Sequence, residues 1–391
     1  MAGQEAEIGA LGAVILAGVI GRLFLKKTGF SDVFLLMLFG AACGALLPAG
    51  MVAGMHELML PLGAIALLMI ILDEGLHLPI GELVKQAHKA VLFSALSFAF
   101  SFAASFALSY LFLQDLALSL LIGAIFSSVA PELLSGFLSA RQSSESARTL
   151  AEIEATITDA LSVIVALLLA SSAMHGEAGS DLRLLPGEIG IILALSCALG
   201  SVCAAGWKLL VARIAEGNEH LAAIGLAAVL YAVSGLLHAN GVISVFVFGF
   251  FLGNTSHKSV DEVRRFHSEV SFFLRTAFFV YLGILLFHTP KPVEAALFAL
   301  ALSLLLACAR AAASRAISFL EPSMRKGRLF EAVSSSGLTS AVLSVVVFEE
   351  LSAAGAAPAI DLPLLALFVV FFTNAISAFL VFRDRGKSAD A

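Results

Sequence analysis

The chain has 391 residues, of which 60% are hydrophobic and 13% are charged, whereas soluble domains average about 45–50% apolar and about 25% charged residues. Its mean hydropathy is +0.99 and its formal net charge is −6. These values exclude an ordinary soluble domain, and no nucleic-acid partner is expected. The four cysteines all lie in apolar runs without a paired spacing, so no disulfide framework is expected either.

Long apolar runs dominate the whole chain. About twenty apolar residues cross a bilayer as a helix, and short polar turns separate thirteen such runs. They lie near residues 8–24, 32–47, 58–72, 91–113, 116–138, 150–174, 189–211, 221–237, 242–253, 270–287, 293–320, 330–348 and 362–382. The sequence therefore predicts an all-α polytopic membrane protein with 13 transmembrane helices.

Lysine and arginine are sorted between the two sides of these spans. Basic residues favour cytoplasmic loops, and eighteen of the 23 lysines and arginines fall in one set of alternate loops or in the carboxyl-terminal tail. Only Arg183 and Lys291 fall in the opposite set. This asymmetry predicts an amino terminus outside and a carboxyl terminus in the cytoplasm.

The sixth span carries acidic residues inside an apolar run, among them Glu154 and Asp159. A charge at mid-bilayer costs about 2.5–3.5 kcal/mol even on insertion scales, and it usually faces an ion path or a partner. Thr156 shares a helical face with Asp159 and brings a hydroxyl to its side. Because a proton and a hard monovalent cation both neutralise a carboxylate, they would compete for Asp159. The alternative is an aspartate that only bonds a neighbouring helix.

Other charged residues in or near the spans need partners or water. Arg310 lies in the eleventh span, and pairing with Glu154 would remove both charges from the unpaired state, so we expect a structural ion pair between them. Asp73 lies at the inner end of the third span, either as a solvated helix end or as part of an acidic funnel that attracts cations. Glu132, in the fifth span, is either a second ion ligand or faces cytoplasmic water.

The two halves of the chain contain similar segments. Residues 158–162 read TDALS and residues 373–377 read TNAIS. A polar break at residues 127–132, which contains Pro131, has a counterpart at residues 334–340, where Gly337, Thr339 and Ser340 mark the break. Paired interrupted helices are typical of secondary transporters. We therefore predict two inverted six-helix repeats, joined by the seventh span, with crossed discontinuous helices at spans five and twelve. The alternative for each break is a simple kink.

Four short motifs resemble those of the monovalent cation:proton antiporters, most closely the NhaP-type sodium/proton antiporters. Residues 154–159 are similar to the family's E-S-x-x-N-D, residues 72–76 to F-E-x-G-L, residues 278–283 to F-x-x-x-G, and residues 337–342 to G-L-R-G-x-V. The similarity extends over nearly the whole chain.

The resemblance implies a dimerisation scaffold (residues 1–86 and 220–288), a mobile ion-binding core (87–174 and 292–383), a linker helix (187–213) and a short cytoplasmic tail (384–391). It implies that Asp159 alternately binds cation and proton during an elevator-like shift of the core. It also implies that Asp73 matches the acid of the third span, and that Glu154 and Arg310 match a structural ion pair. A homodimer in a prokaryotic inner membrane is expected, with no cofactor.

The chain departs from the family pattern near the site. The family's T-D-P reads Val129-Ala130-Pro131 here, and Ala155 replaces a serine, so two oxygen-bearing side chains are missing. Backbone carbonyls, water, Ser128 or Glu132 are the candidate replacements. Thr158 stands in place of the motif asparagine and is a further ion-binding candidate. It offers no second titrating group beside Asp159, so we predict electroneutral one-for-one exchange.

The function predicted from the sequence is secondary-active antiport of sodium, lithium or potassium against protons by alternating access, and not an enzymatic activity. Three alternatives stay open at this point. The same scaffold serves potassium efflux antiporters or conduits, and a related inverted-repeat fold serves sodium-coupled symporters of organic anions. A membrane sensor without transport activity is the third alternative, and it would not need acidic residues in the middle of a helix.

Overall fold

A computed structural model of the chain describes most of its residues. The described residues are 9, 12–23, 32–47, 63, 65–78, 80–130, 145–174, 185–211, 213, 218–255, 260–288, 293–320, 336–356 and 358–389. All the regular secondary structure within these ranges is helical.

The described residues form thirteen helical segments. In chain order they are α1 (Gly12–Leu23), α2 (Asp32–Leu46), α3 (65–77), α4 (Ile80–Leu113), α5 (Leu116–Ile125), α6 (Glu145–Met174), α7 (Leu185–Val211), α8 (Glu219–Leu236), α9 (Gly241–Gly253), α10 (Val260–His288), α11 (Val293–Leu320), α12 (Leu338–Ala353) and α13 (Leu362–Ala389). Six of them, α4, α6, α7, α8, α10 and α11, contain stretches long and apolar enough to cross a membrane. The predicted all-helical class with thirteen helices is confirmed.

Helix ends differ from the ends of the apolar runs at several places. α4 begins at Ile80 and α10 at Val260, each well before the predicted span. Lysine, glutamate, glutamine and arginine are good helix formers, so these helices continue past the apolar segment. α5, in contrast, ends at Ile125 although its apolar run continues to residue 138. The remainder of that run from residue 131, and residues 321–335 ahead of α12, lie outside the described residues.

Close helix packing depends on glycine. A Cβ atom at Gly40 of α2 would overlap the backbone of Val280 in α10, and one at Gly283 of α10 would overlap the backbone of Met37 in α2. The absence of side chains at both positions therefore lets the two helices approach backbone to backbone. Small residues serve the same purpose in many membrane helix pairs, where dispersion contacts replace the hydrophobic effect.

Helix contacts fall mainly within two sets. α4 packs on α5, α6 and α11, while α13 packs on α11 and α12, and α12 also packs on α6. In the second set α2 packs on α10, and α9 packs on α7 and α8. Smaller contacts join α6 to α9 and α10 to α12. The short helix α5, the acidic helix α6 and α12 are thus neighbours within the first set.

Candidate ion-binding site

Asp159 is buried in the interior of α6. Its side chain is 2% exposed, and its Oδ2 accepts a hydrogen bond of 2.6 Å from Thr339 Oγ1. Thr339 lies in the first turn of α12, directly after the cap residue Gly337 and Leu338. A helix amino terminus carries unpaired N–H groups and the positive end of the helix dipole, and both favour a negative charge. The fold therefore brings a carboxylate on α6 to the amino-terminal end of α12.

The end of α5 meets the start of α12 beside this carboxylate. α5 ends at Ile125, and residues 127–130 continue without helical structure. Ser128 Oγ lies 3.4 Å from Ser340 Oγ in α12. A Cβ atom at Gly337 would overlap the side chain of Ala130, so the two non-helical segments can touch only because residue 337 is glycine.

The end of α5 is held by the same helix that carries Asp159. Ser162 Oγ donates hydrogen bonds to the carbonyl oxygens of Ala124, at 2.7 Å, and Ile125, at 3.3 Å. These are carbonyls that the last turn of a helix leaves without an intrahelical partner. Ser162 was not among the predicted site residues, although it belongs to the TDALS segment whose repetition was noted in the sequence.

Thr158 is buried next to Asp159 in the chain, but its hydroxyl bonds its own helix. Its Oγ1 donates to the carbonyl oxygen of Ala155 at 3.0 Å. A hydroxyl oxygen that donates one hydrogen bond still has lone pairs for a cation or a second donor. Thr158 is therefore chemically able to be a ligand, with its hydrogen directed to the backbone.

Glu154 and Arg310 lie in contact between α6 and α11. The carboxylate is 0% exposed and the guanidinium 1% exposed. Both terminal guanidinium nitrogens of Arg310 donate to the two carboxylate oxygens of Glu154, with Nη2 at 2.6 Å from Oε2. Nη1 also donates to Ser97 Oγ at 3.1 Å, and the guanidinium carbon lies 5.1 Å from the ring centre of Phe93. This bidentate geometry is the strong form of the pair.

Asp73 is placed against α10 rather than in a shared bond network with Asp159. Its Oδ1 accepts a hydrogen bond of 3.2 Å from Ser268 Oγ and lies 3.3 Å from His77 Nδ1. Burial alone would lower the pKa of His77, but hydrogen bonds and the charge of Asp73 outweigh it, so the pKa is raised. In the described part of the chain, the two aspartates have no hydrogen-bond partner in common.

Two of the predicted site residues, Pro131 and Glu132, lie outside the described residues. Among those that are described, no group of three or more histidine, cysteine, aspartate or glutamate side chains could hold a metal ion. Asp159 instead accepts from the Thr339 hydroxyl, and Ser340, the next residue of α12, lies 3.4 Å from Ser128 between the two hydroxyl oxygens. One carboxylate with neutral oxygen donors is a ligand chemistry suited to a hard cation of low charge.

The chain matches known membrane proteins over most of its length. The sequence model of the family described as "Sodium/hydrogen exchanger, transmembrane" matches residues 12–383. The K(+)/H(+) antiporter NhaP2 of Shewanella sp. (strain MR-4) is 25% identical over 293 residues, which cover 71% of this chain and 49% of that relative. NhaP2 of Shewanella oneidensis is 25% identical over 289 residues, with the same coverage. The chain therefore spans about half the length of the curated relatives it matches.

Solved structures share the fold. A structure of the sodium proton antiporter MjNhaP1 from Methanocaldococcus jannaschii at pH 8 has a TM-score of 0.78 and 17% identity, over 95% of this chain and 99% of that chain. An electron-microscopy map of MjNhaP1 has a TM-score of 0.71 and 17% identity, over 99% of this chain and 96% of that chain. These matches confirm the resemblance found in the sequence motifs. With the family model matching residues 12–383, the protein belongs to the sodium/hydrogen exchanger family of transmembrane proteins.

Proposed function

We propose that the protein is a secondary-active antiporter in which a monovalent cation and a proton compete for Asp159. The observation that carries the proposal is the position of this carboxylate. It is 2% exposed, it is bonded by a hydroxyl at the start of α12, and no cationic side chain pairs with it within the described residues. A buried carboxylate without a fixed counter-charge is stable only when a mobile one neutralises it. A cation and a proton are the two mobile charges that fit.

Competition at one carboxylate gives obligatory exchange. When Asp159 is ionised, the Thr339 hydroxyl donates to it and a cation completes the neutralisation. When a proton binds, the carboxyl group of Asp159 is neutral and no longer attracts the cation. The empty, ionised carboxylate is the costliest state in a low-dielectric interior. The binding site therefore changes from one side of the membrane to the other only with a cation or a proton bound.

We propose Thr158, Ser128 and Glu132 as further cation ligands with Asp159, and Asp73 as an acidic residue on the cytoplasmic approach. Support comes from the 3.4 Å contact between Ser128 and Ser340, because Ser340 directly follows the Thr339 that bonds the carboxylate. Asp73 has a partly exposed side chain, at 24%, as a residue on a path from the cytoplasm needs. We further propose that the Glu154–Arg310 pair is structural, because each charge is already neutralised by the other and neither needs a mobile ion.

For the architecture, we propose inverted repeats with discontinuous helices at α5 and α12, a mobile core containing α4–α6 and α11–α13, and a scaffold that forms a homodimer. The two sets of helix contacts support the division between core and scaffold. The loop charges support a prokaryotic inner-membrane location with the amino terminus outside. The absence of a second acid next to Asp159 supports electroneutral exchange.

Sodium and potassium are both candidate cations, and one observation favours each. The curated relatives are K(+)/H(+) antiporters by name, whereas the solved structures with this fold are of a sodium proton antiporter. We propose that both ions bind, since hydroxyl and carboxylate oxygens accept either. Potassium exchange is the second candidate activity, and the assay below separates the two.

The test is proton efflux from proteoliposomes on addition of sodium, lithium or potassium. The parent protein is expected to respond to at least one of these ions, and Asp159→Asn to none. Asp115→Asn is the matched control, because Asp115 is an exposed residue that caps α5 and asparagine caps a helix equally well. Full activity in Asp159→Asn, or no response of the parent protein to any of the three ions, would overturn the proposal. Cation uptake driven by an imposed voltage would overturn the electroneutral stoichiometry alone.

A further inference from the structure

Residue 336, which directly precedes the cap of α12, is held by two adjacent side chains of α13. The backbone N–H of Ser336 donates to Thr373 Oγ1 at 3.2 Å, and its carbonyl oxygen accepts from Asn374 Nδ2 at 3.2 Å. All three residues are buried. The backbone donor and the backbone acceptor of one residue are therefore both bonded by the neighbouring helix.

The chemistry of these bonds fixes which atoms do the work. Asn374 Nδ2 also donates to the carbonyl oxygen of Val370 at 2.7 Å, so both its hydrogens face carbonyl acceptors and the amide orientation is determined. Thr373 Oγ1 donates to the carbonyl oxygen of Val369 at 2.7 Å, which leaves its lone pairs to accept from Ser336. In the described part of the chain Asn374 Oδ1 has no hydrogen-bond partner. The buried amide oxygen therefore carries an uncompensated desolvation cost, and the hydrogen bonds of this side chain all come from its nitrogen.

The held residue is directly connected to the carboxylate site. Ser336 is followed by the cap residue Gly337, and then by the first turn of α12 with Thr339 and Ser340. Thr339 donates to Asp159, and Ser340 lies beside Ser128. Because a helical turn moves as a unit, a shift of Ser336 changes the position of the Thr339 hydroxyl at the Asp159 carboxylate.

We propose that Thr373 and Asn374 are positioning residues that set cation affinity at Asp159 by fixing the start of α12. The inference rests on the proposed antiport function and adds to it a pair of residues on α13 that do not touch the ion. It explains why the TNAIS segment keeps a threonine and an amide at buried positions of a membrane helix. The purely structural alternative is that the bonds only fasten α13 to α12.

The experiment measures the cation KM and the maximal rate of exchange in proteoliposomes. Thr373→Val removes the acceptor with little change of shape, while Thr373→Ser keeps the hydroxyl. We expect Thr373→Val to raise the KM by up to about tenfold, as for loss of a buried hydrogen bond between neutral groups, with a maximal rate within about twofold of the parent. Thr373→Ser is expected to keep the KM within about twofold of the parent.

Two further variants make the result decisive. Asn374→Leu, close in size, is expected to raise the KM as Thr373→Val does. Ser344→Ala, which removes a buried hydroxyl that bonds only its own helix α12, is the control and is expected to keep the parental KM. An unchanged KM in Thr373→Val or Asn374→Leu overturns the inference, as does failure of both to reach the membrane, since the role is then structural. A parent protein without cation-coupled proton flux overturns the proposed function itself.

Discussion

Glu154 and Asp159 are two carboxylates on the same helix, both buried, with entirely different partners. Glu154 has a bidentate guanidinium and is 0% exposed, whereas Asp159 is 2% exposed and has one hydroxyl donor. They lie five residues apart in the chain, so they point to different sides of α6. One side faces α11, which carries Arg310, and the other faces the start of α12.

The difference teaches how one helix can carry both a carboxylate with a fixed counter-charge and one without. A buried ion pair with every acceptor bonded holds its charge permanently, because breaking it would leave an unpaired ion in a medium of low dielectric. A carboxylate met only by a neutral hydroxyl has no such fixed charge. Under the proposed function it draws one from outside, and that requirement would couple the cation to the proton.

The largest expected effect comes from breaking the ion pair. Arg310→Met leaves Glu154 buried without its partner, and we expect a loss of about 3–5 kcal/mol in stability, seen as a fall of roughly 5–10 °C in the melting temperature in detergent. Arg265→Met, at an exposed arginine of α10, is the control and is expected to change stability by less than about 0.5 kcal/mol. Equal melting of parent and Arg310→Met would contradict a structural role for the pair.

The double variant Glu154→Leu with Arg310→Met sharpens this reading. Replacement of a buried ion pair by apolar groups is often neutral, so we expect the double variant to recover most of the lost stability, to within about 1–2 kcal/mol of the parent. Exchange activity should recover with it, since neither group is proposed to bind the ion. A double variant as unstable as Arg310→Met would show that Ser97 and Phe93 need the guanidinium for other reasons.

Asp159→Asn tests the other side of the comparison. We expect a loss of exchange of at least about 100-fold, because the carboxylate for which cation and proton compete is gone, with a melting temperature equal to or above that of the parent. The stability is kept because asparagine is neutral and removes no fixed ion pair. Thermal melting measured beside transport checks both halves. A variant that unfolds like Arg310→Met would mean that Asp159 is structural as well.

A smaller effect is expected at the hydroxyl that meets Asp159. Thr339→Val removes the 2.6 Å donor with little change of shape, and hydrogen bonds to charged groups contribute about 1.5–3 kcal/mol. We expect the cation KM to change by about tenfold or more, with Thr339→Ser close to the parent. Titration of proteoliposome exchange with the cation gives the KM. A parental KM in Thr339→Val would remove this hydroxyl from the site.

The smallest effect concerns Asp73, a third carboxylate with a titratable partner. The folded pKa of His77 is raised above its ordinary value of 6.5, so the pair stabilises the fold below that value and the contribution is lost as the pH rises through the raised pKa. His77 is half exposed, which limits the contribution to about 0.5 kcal/mol. Melting of parent and His77→Gln should differ most near pH 6 and converge in alkaline solution. A difference that grows with pH would contradict the assignment.

Much of this arrangement follows from the sequence because the bilayer restricts the choices. Long apolar runs can cross a bilayer as helices, and counting these runs predicted thirteen helices. A guanidinium in an apolar span has few carboxylates with which it can pair, which is why Glu154 was expected beside Arg310. Helix ends were less predictable. The apolar run of span five continues past Ile125, where α5 ends. Hydropathy did not predict this end, because it measures transfer into lipid and not backbone hydrogen bonding.

The sequence by itself determined the class, the helix count and the family, and it singled out Asp159 as an acidic residue inside an apolar run. The tertiary structure alone decided what surrounds it. The hydroxyl at Asp159 comes from Thr339, 180 positions away in the chain, and the start of α12 is held from α13. Contacts of that kind depend on how whole helices pack. The local sequence around a buried threonine or serine does not show which distant residue its hydroxyl will reach.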